Sequence, residues 1–105
     1  MGRISIAVFV PKPGKEGELQ RVIADRIPLL RRLGLVTGRP PISVRAADGA
    51  ILHISEWVDD AAIERAHHTP EVLALWKRFE DCSHFIPLTS LPESHEPFAT
   101  FASLD

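Results

Sequence analysis

The dipeptide Asp48-Gly49 most restricts the fold of this chain, because a stretch of alternating apolar and polar residues lies on each side of it. Asp-Gly favours a two-residue type I′ turn, in which both central residues need a positive φ angle. The flanking stretches, residues 42–47 and 50–58, therefore predict a β-hairpin. With a two-residue turn, Ala47 faces Ala50 and Val44 faces His53.

This register assigns every side chain of the hairpin to one of two faces. Neither face is purely polar, which predicts a sheet that is covered on both sides, with helices on one of them. One face carries Ile42, Val44, Ala46, Ile51, His53, Ser55 and Trp57, and the other carries Ser43, Arg45, Leu52, Ile54, Glu56 and Val58.

The remaining elements follow from periodicity and from residues that interrupt it. Alternation over residues 3–10 predicts a first strand, which Pro11 ends. An apolar stripe over residues 14–34 predicts an amphipathic helix that stops at Gly34 and is kinked or split near Pro28. Residues 61–67 predict a short helix capped by Asp59 or Asp60, and Thr69-Pro70 begins a further segment. Residues 82–97 are predicted to be irregular, and residues 98–102 are predicted to form a last strand.

The order of elements is β-α-β-β-α-β, which is typical of the ferredoxin-like α+β fold with a four-stranded antiparallel sheet. A length of 105 residues fits one domain, which we assign to residues 1–105. The net charge of −2 argues against a nucleic-acid partner, and the absence of a run of about 18 apolar residues argues against a membrane span. One cysteine, Cys82, cannot form an intramolecular disulfide, so we expect a reducing compartment, the cytoplasm.

The element order and several short motifs resemble the dimeric α/β-barrel superfamily, and within it the antibiotic-biosynthesis-monooxygenase-like group. The resemblance covers roughly residues 3 to 103. Members pair two four-stranded sheets face to face, so it implies a homodimer. The motifs are Lys12-Pro13-Gly14-Lys15, Asp48-Gly49, Glu56-Trp57, Ala61-Ala62, Ala66-His67 and Pro70-Glu71-Val72.

The group includes cofactor-independent monooxygenases that act on aromatic polyketides, and haem-degrading enzymes. The haem-degrading members use an Asn on the first strand, and this chain contains no Asn, so their residue set is absent. The polyketide-oxidising members use Asn, Trp, Arg and often Tyr. This chain has no Tyr either, and Trp57 and Arg45 are the residues to which corresponding roles can be given.

Three residues are candidates for proton transfer. His53 is either a general base in a pocket between sheet and helices or a surface or interface histidine. Glu56 lies on the opposite face of its strand from His53, and it either acts in catalysis or pairs with a cation such as His67 or Arg45. The resemblance puts a histidine near His67, whose alternative is a helix C-terminal residue that interacts with the dipole.

Three further residues are candidates for binding a ligand. Trp57 and Trp76 either line a pocket or have a packing role, as anchors of the core or of an interface. Arg45 either binds an anionic ligand or pairs across a dimer. No histidine pair has i, i+4 spacing and no CxxC occurs, so we expect no metal.

Two functional hypotheses remain open. The first is a small-molecule enzyme, an oxidoreductase of the cofactor-independent monooxygenase type with no metal or flavin. A histidine would abstract a proton from an aromatic substrate in a pocket lined by His53 or Glu56, Trp57, His67 and Trp76. The second is a non-catalytic homodimer that binds a small aromatic or apolar ligand or is purely structural.

Overall fold

A computed structural model describes residues 2–104, and over these residues the chain is α+β, with an antiparallel sheet of five strands. The strands lie in the order β4-β1-β3-β2-β5, an arrangement compatible with a ferredoxin-like fold. The elements are β1 Arg3–Pro11, α1 Glu16–Arg32, β2 Ile42–Arg45, β3 Ile51–Trp57, α2 Asp60–Ala66, α3 Pro70–Cys82, β4 Ser83–Phe85 and β5 Ala102–Ser103, with two 3₁₀ turns at Leu88–Ser90 and Pro92–His95.

The hairpin register differs from the predicted one by a residue. The loop has three residues, 47–49, because Ala46 and not Ala47 pairs with Ala50, at 2.8 Å from N–H to carbonyl. Of these loop residues Gly49 alone has a positive φ, +96°, as in a type I turn followed by a left-handed glycine. Ser43 therefore lies opposite His53, and Val44 opposite Leu52.

This shift reverses the faces assigned to β2. A slip of one residue moves every side chain of a strand to the other side of the sheet. Ser43 and Arg45 lie on the face that carries the helices, and Ile42 and Val44 lie on the opposite face, which corrects the sequence prediction. The grouping within β3 is confirmed, because Ile51, His53, Ser55 and Trp57 share a face and are all buried.

The C-terminal part was also predicted incorrectly. Ser83–Phe85 forms β4 directly after α3 and pairs with Phe9, Val10 and Pro11 of β1, although three residues are too few to show a strand period. The last strand is Ala102–Ser103 and not 98–102, and it pairs with Val44 and Arg45 of β2. The sheet thus has five strands where the sequence indicated four.

The helices behave largely as their capping residues predict. Asp59 is the N-cap of α2 and accepts a hydrogen bond of 2.7 Å from the Ala62 N–H, and Pro70 begins α3 after Thr69. Gly34 follows α1 with a φ of +73°. The predicted split at Pro28 is absent, because α1 is assigned without interruption from Glu16 to Arg32. Within residues 2–104 no helix has the length and hydropathy needed to cross a bilayer.

The two faces of the sheet are covered differently. On one face, α1 and α3 pack over Phe9 and Ile51 in a continuous apolar core. On the other, the segment after β4 folds back so that Leu91 packs on Val8 and Leu52. This segment leaves part of the second face open, and three isoleucines there are exposed to 55%, 46% and 52%: Ile4, Ile6 and Ile42.

The conformation of Gly49 predicts a specific cost of substitution. Gly49→Ala places a Cβ at a φ of +96°, so we expect a loss of about 1–2 kcal/mol in the free energy of unfolding. Gly38→Ala is the matched control, because its Cβ also meets open space and its φ is not positive. Urea unfolding of both variants measures the difference. Equal effects would contradict the three-residue loop.

Candidate functional site

The candidate site is a cavity of about 240 Å³ on the helical face of the sheet. It lies where β1, α1, α3 and β4 meet, and it opens to solvent between the sheet and the two longer helices. The residues that line it are Ala7, Phe9, Arg26, Trp76, Phe79, Glu80 and Phe85.

Aromatic rings form most of the cavity wall. Phe9 and Phe79 stack nearly parallel, with ring centroids 4.6 Å apart and an interplanar angle of 9°. Phe85 meets Phe9 edge-on at 5.5 Å. Trp76 and Phe79 are three residues apart on α3 and so project from the same side of the helix. A wall of this kind suits flat, apolar molecules.

Arg26 supplies a buried positive charge at the site. It is only 6% exposed, because it occupies a position in the apolar stripe of α1 between Val22 and Leu30. Its Nη1 donates to Ser55 Oγ at 2.9 Å and to His53 Nδ1 at 3.2 Å. Its guanidinium also lies over the Trp57 ring, 5.7 Å from the centroid.

No carboxylate compensates this buried cation within the part of the chain that the structure describes. Every ion pair among residues 2–104 involves other arginines, lysines or His68. Burial lowers the pKa of Arg26 to about 10. That lowering corresponds to about 3 kcal/mol by which burial disfavours the charged form.

Hydrogen bonding defines the state of His53. Arginine has donors and no acceptor, so the Nδ1 that faces Arg26 must accept, and the proton of the neutral ring is then on Nε2. His53 is 1% exposed and is not among the residues that line the cavity. It holds the guanidinium in place and does not itself reach the space where a molecule would bind.

Four of the six predicted site residues lie at or next to this cavity. Trp76 lines it, and Trp57 and His53 contact Arg26. His67 is exposed at the end of α2, and its ring meets Trp76 edge-on at 5.1 Å, on the outside of the site.

Glu56 and Arg45 lie elsewhere. Glu56 accepts hydrogen bonds from Thr37 Oγ1 at 2.8 Å and from Arg39 Nε at 3.1 Å, and these bonds lower its pKa. The expected partners His67 and Arg45 were therefore wrong. Arg45 forms an ion pair with Glu16 in the first turn of α1. Glu56 thus connects the loop before β2 to β3, and Arg45 connects β2 to α1.

Sequence reasoning missed Arg26, although a signal was present. The stripe of α1 runs through Leu19, Val22, Ile23, Ile27 and Leu30, and position 26 belongs to it by helical spacing. A charged residue at a stripe position predicts a buried cation. The aromatic wall gave no local signal, because Phe9, Phe79 and Phe85 meet only through tertiary packing.

Other candidate sites carry less chemistry. A second cavity of about 220 Å³ lies on the other side of α1 and is lined by Gln20, Ile23, Ala24, Ser43 and Leu104. Burial raises the pKa of the Cys82 thiol, which disfavours a reactive thiolate. Among residues 2–104, no three His, Cys, Asp or Glu side chains are grouped so that they could hold a metal ion.

No protein-family model matches this chain, and no curated protein does.

The isolated charge of Arg26 predicts an unusual mutational response. Arg26→Met removes about 3 kcal/mol of burial penalty and loses two hydrogen bonds of a charged donor, about 1.5 kcal/mol each. We therefore expect the free energy of unfolding without ligand to stay within about 1 kcal/mol of that of the parent protein. Arg21→Met, at an exposed position of α1, is the control and should stay within about 0.5 kcal/mol. A loss above about 2 kcal/mol in Arg26→Met alone would show that Arg26 stabilises the fold.

Proposed function

We propose that this protein binds a small aromatic or apolar molecule in the cavity between β1, α1 and α3. The observation that carries the proposal is the aromatic wall built by Phe9, Trp76 and Phe79 beside one buried cation. Sites for small organic molecules are mostly apolar, with a few polar groups that orient the ligand. The cavity has this composition.

A second candidate is oxidation of the bound molecule without a cofactor, as the resemblance to antibiotic-biosynthesis monooxygenases implies. Arg26 favours this candidate, because a buried cation stabilises the phenolate or enolate form, in which an aromatic substrate is most electron-rich. Binding is the better supported function, because none of the described histidines lines the cavity and His53 Nδ1 is engaged by Arg26.

The binding proposal predicts that a neutral aromatic probe enters the cavity. We expect 2-naphthol to change the fluorescence of Trp76 when it binds. The affinity of the Ala7→Leu variant for 2-naphthol should be lower by at least about 10-fold, because the larger side chain fills space next to the aromatic wall. Ala24→Leu is the matched control, since Ala24 lines the second cavity on the other side of α1. Calorimetric titration gives the dissociation constants.

The same preparation separates the two candidates. Binding without oxygen uptake supports a ligand-binding protein, whereas oxygen uptake that depends on the probe and is lost in Ala7→Leu supports the monooxygenase. If Ala7→Leu and Ala24→Leu bind the probe equally well, the cavity next to Ala7 is not the site.

We also propose a homodimer that forms through the open face of the sheet, as in the barrels that the sequence resembles. Exposed Ile4, Ile6 and Ile42 on this face support the proposal, because contiguous apolar surface of this kind commonly marks an interface. A second copy would present the same isoleucines across a two-fold axis. Such a dimer would cover the side of the sheet that the helices leave bare.

Charge on this face should dissociate the dimer. Ile6→Lys places an ammonium group in the proposed interface, and we expect sedimentation at micromolar concentration to give the chain mass of 11.7 kDa and not twice that mass. Leu73→Lys is the control, because Leu73 is as exposed as Ile6, at 46%, but lies on α3. A monomeric parent protein would contradict the proposal.

The cytoplasm is the location that we propose. The support is Cys82, the one cysteine of the chain, which is free and buried. A protein without disulfides is suited to a reducing compartment.

A further inference from the structure

The guanidinium of Arg26 has hydrogen-bond donors that the protein does not use. Arginine carries five N–H groups in a planar fork, two of them on Nη1. The two partners of Nη1 are Ser55 Oγ and His53 Nδ1. Within residues 2–104, nothing accepts a hydrogen bond from Nε or Nη2. Three donors therefore remain for a molecule outside the protein, and two of them, one on Nε and one on Nη2, lie side by side on one edge of the fork.

The orientation of this edge is fixed before any ligand binds. Trp57 lies against the face of the guanidinium, and Ser55 and His53 hold its Nη1 corner. Arg26 lines the cavity, and its Nε–Nη2 edge has no acceptor among residues 2–104. This edge is therefore the part of the guanidinium that can bind a molecule in the cavity. Two parallel N–H groups on this edge match the two oxygens of a carboxylate, which is the geometry of a bidentate pair.

We propose that the ligand is a small aromatic monocarboxylate whose carboxylate binds the free edge of Arg26 and whose ring lies against Phe9, Phe79 and Trp76. This inference rests on the proposed binding function and adds the chemical class of the ligand. It also assigns His53 and Ser55 as positioning residues, which act on the ligand through Arg26.

Charge and volume limit the class further. Among the described residues that line the cavity, Arg26 is the one cation, and Glu80 adds a negative charge. A single anionic group is therefore favoured over a dianion such as a phosphate monoester. An apolar cavity of about 150 Å³ is large enough to bind benzene. The cavity of about 240 Å³ has room for one or two fused rings and a carboxylate.

The test compares two probes of equal shape and different charge, 2-naphthoate and 2-naphthamide, by calorimetric titration at pH 7. We expect naphthoate to bind about 10- to 100-fold more tightly, because a charge-assisted bidentate pair replaces neutral hydrogen bonds. Arg26→Gln should reduce this preference to about 3-fold or less, and Arg26→Lys should restore only part of it, because an ammonium group lacks the fork.

Two further variants identify the role of the surrounding residues. Glu71→Gln is the control, because Glu71 is exposed in the first turn of α3 and does not line the cavity, and naphthoate should bind this variant as tightly as the parent protein. His53→Ala should lower the affinity for naphthoate by about 5-fold or more and leave the affinity for naphthamide nearly unchanged. The reason is that a guanidinium without this hydrogen bond is no longer held in the geometry of a bidentate pair. Circular dichroism of each variant confirms that the sheet and helices are retained.

The outcomes separate the two proposals. A strong preference for naphthoate that disappears in Arg26→Gln supports both the cavity and the carboxylate class. Equal binding of both probes, unaffected by Arg26→Gln, overturns the carboxylate inference and leaves the aromatic cavity standing. If neither probe binds at millimolar concentration, the binding function itself is overturned.

Discussion

Over the part of the chain that the structure describes, the interior is arranged around a buried charge that no carboxylate pairs with. Arg26 is buried between α1 and the sheet, where a cation without a carboxylate is costly. Three groups of β3 make the position tolerable, because Ser55 and His53 accept hydrogen bonds and Trp57 offers the face of its ring. All three lie at alternate positions of one strand, so a single element provides the whole support for the guanidinium.

The loop of the hairpin determines which residues surround that charge. With three residues in the loop, Ser43 lies beside His53 on the helical face. With two residues in the loop, the apolar side chain of Val44 would lie beside His53 instead. Ile42 would then lie on the helical face and no longer on the open face. The length of a surface turn thus fixes both the polarity around the buried cluster and the apolar character of the uncovered face.

Much of the fold could be predicted from periodicity, whereas the site could be predicted only in part. The long elements β1, α1, β3 and α3 have clear alternation or helical stripes, and Asp59 and Pro70 mark helix starts by local chemistry. The register error arose because Asp-Gly occurs in both two- and three-residue hairpin loops. The short β4 and the meeting of Phe9, Phe79 and Phe85 depend on packing between distant segments, which a local pattern does not contain.

The cavity shares its wall with the hydrophobic core. Phe9 and Phe79 belong to the buried cluster that joins β1 to α1 and α3, and the same two rings bound the space beside Arg26. A larger residue in place of Ala7 would fill that gap and improve packing. Substitutions that fill internal space are easy to find and cost a protein only where its activity uses that space, so tolerance of a large residue at position 7 would report whether the empty space itself is used.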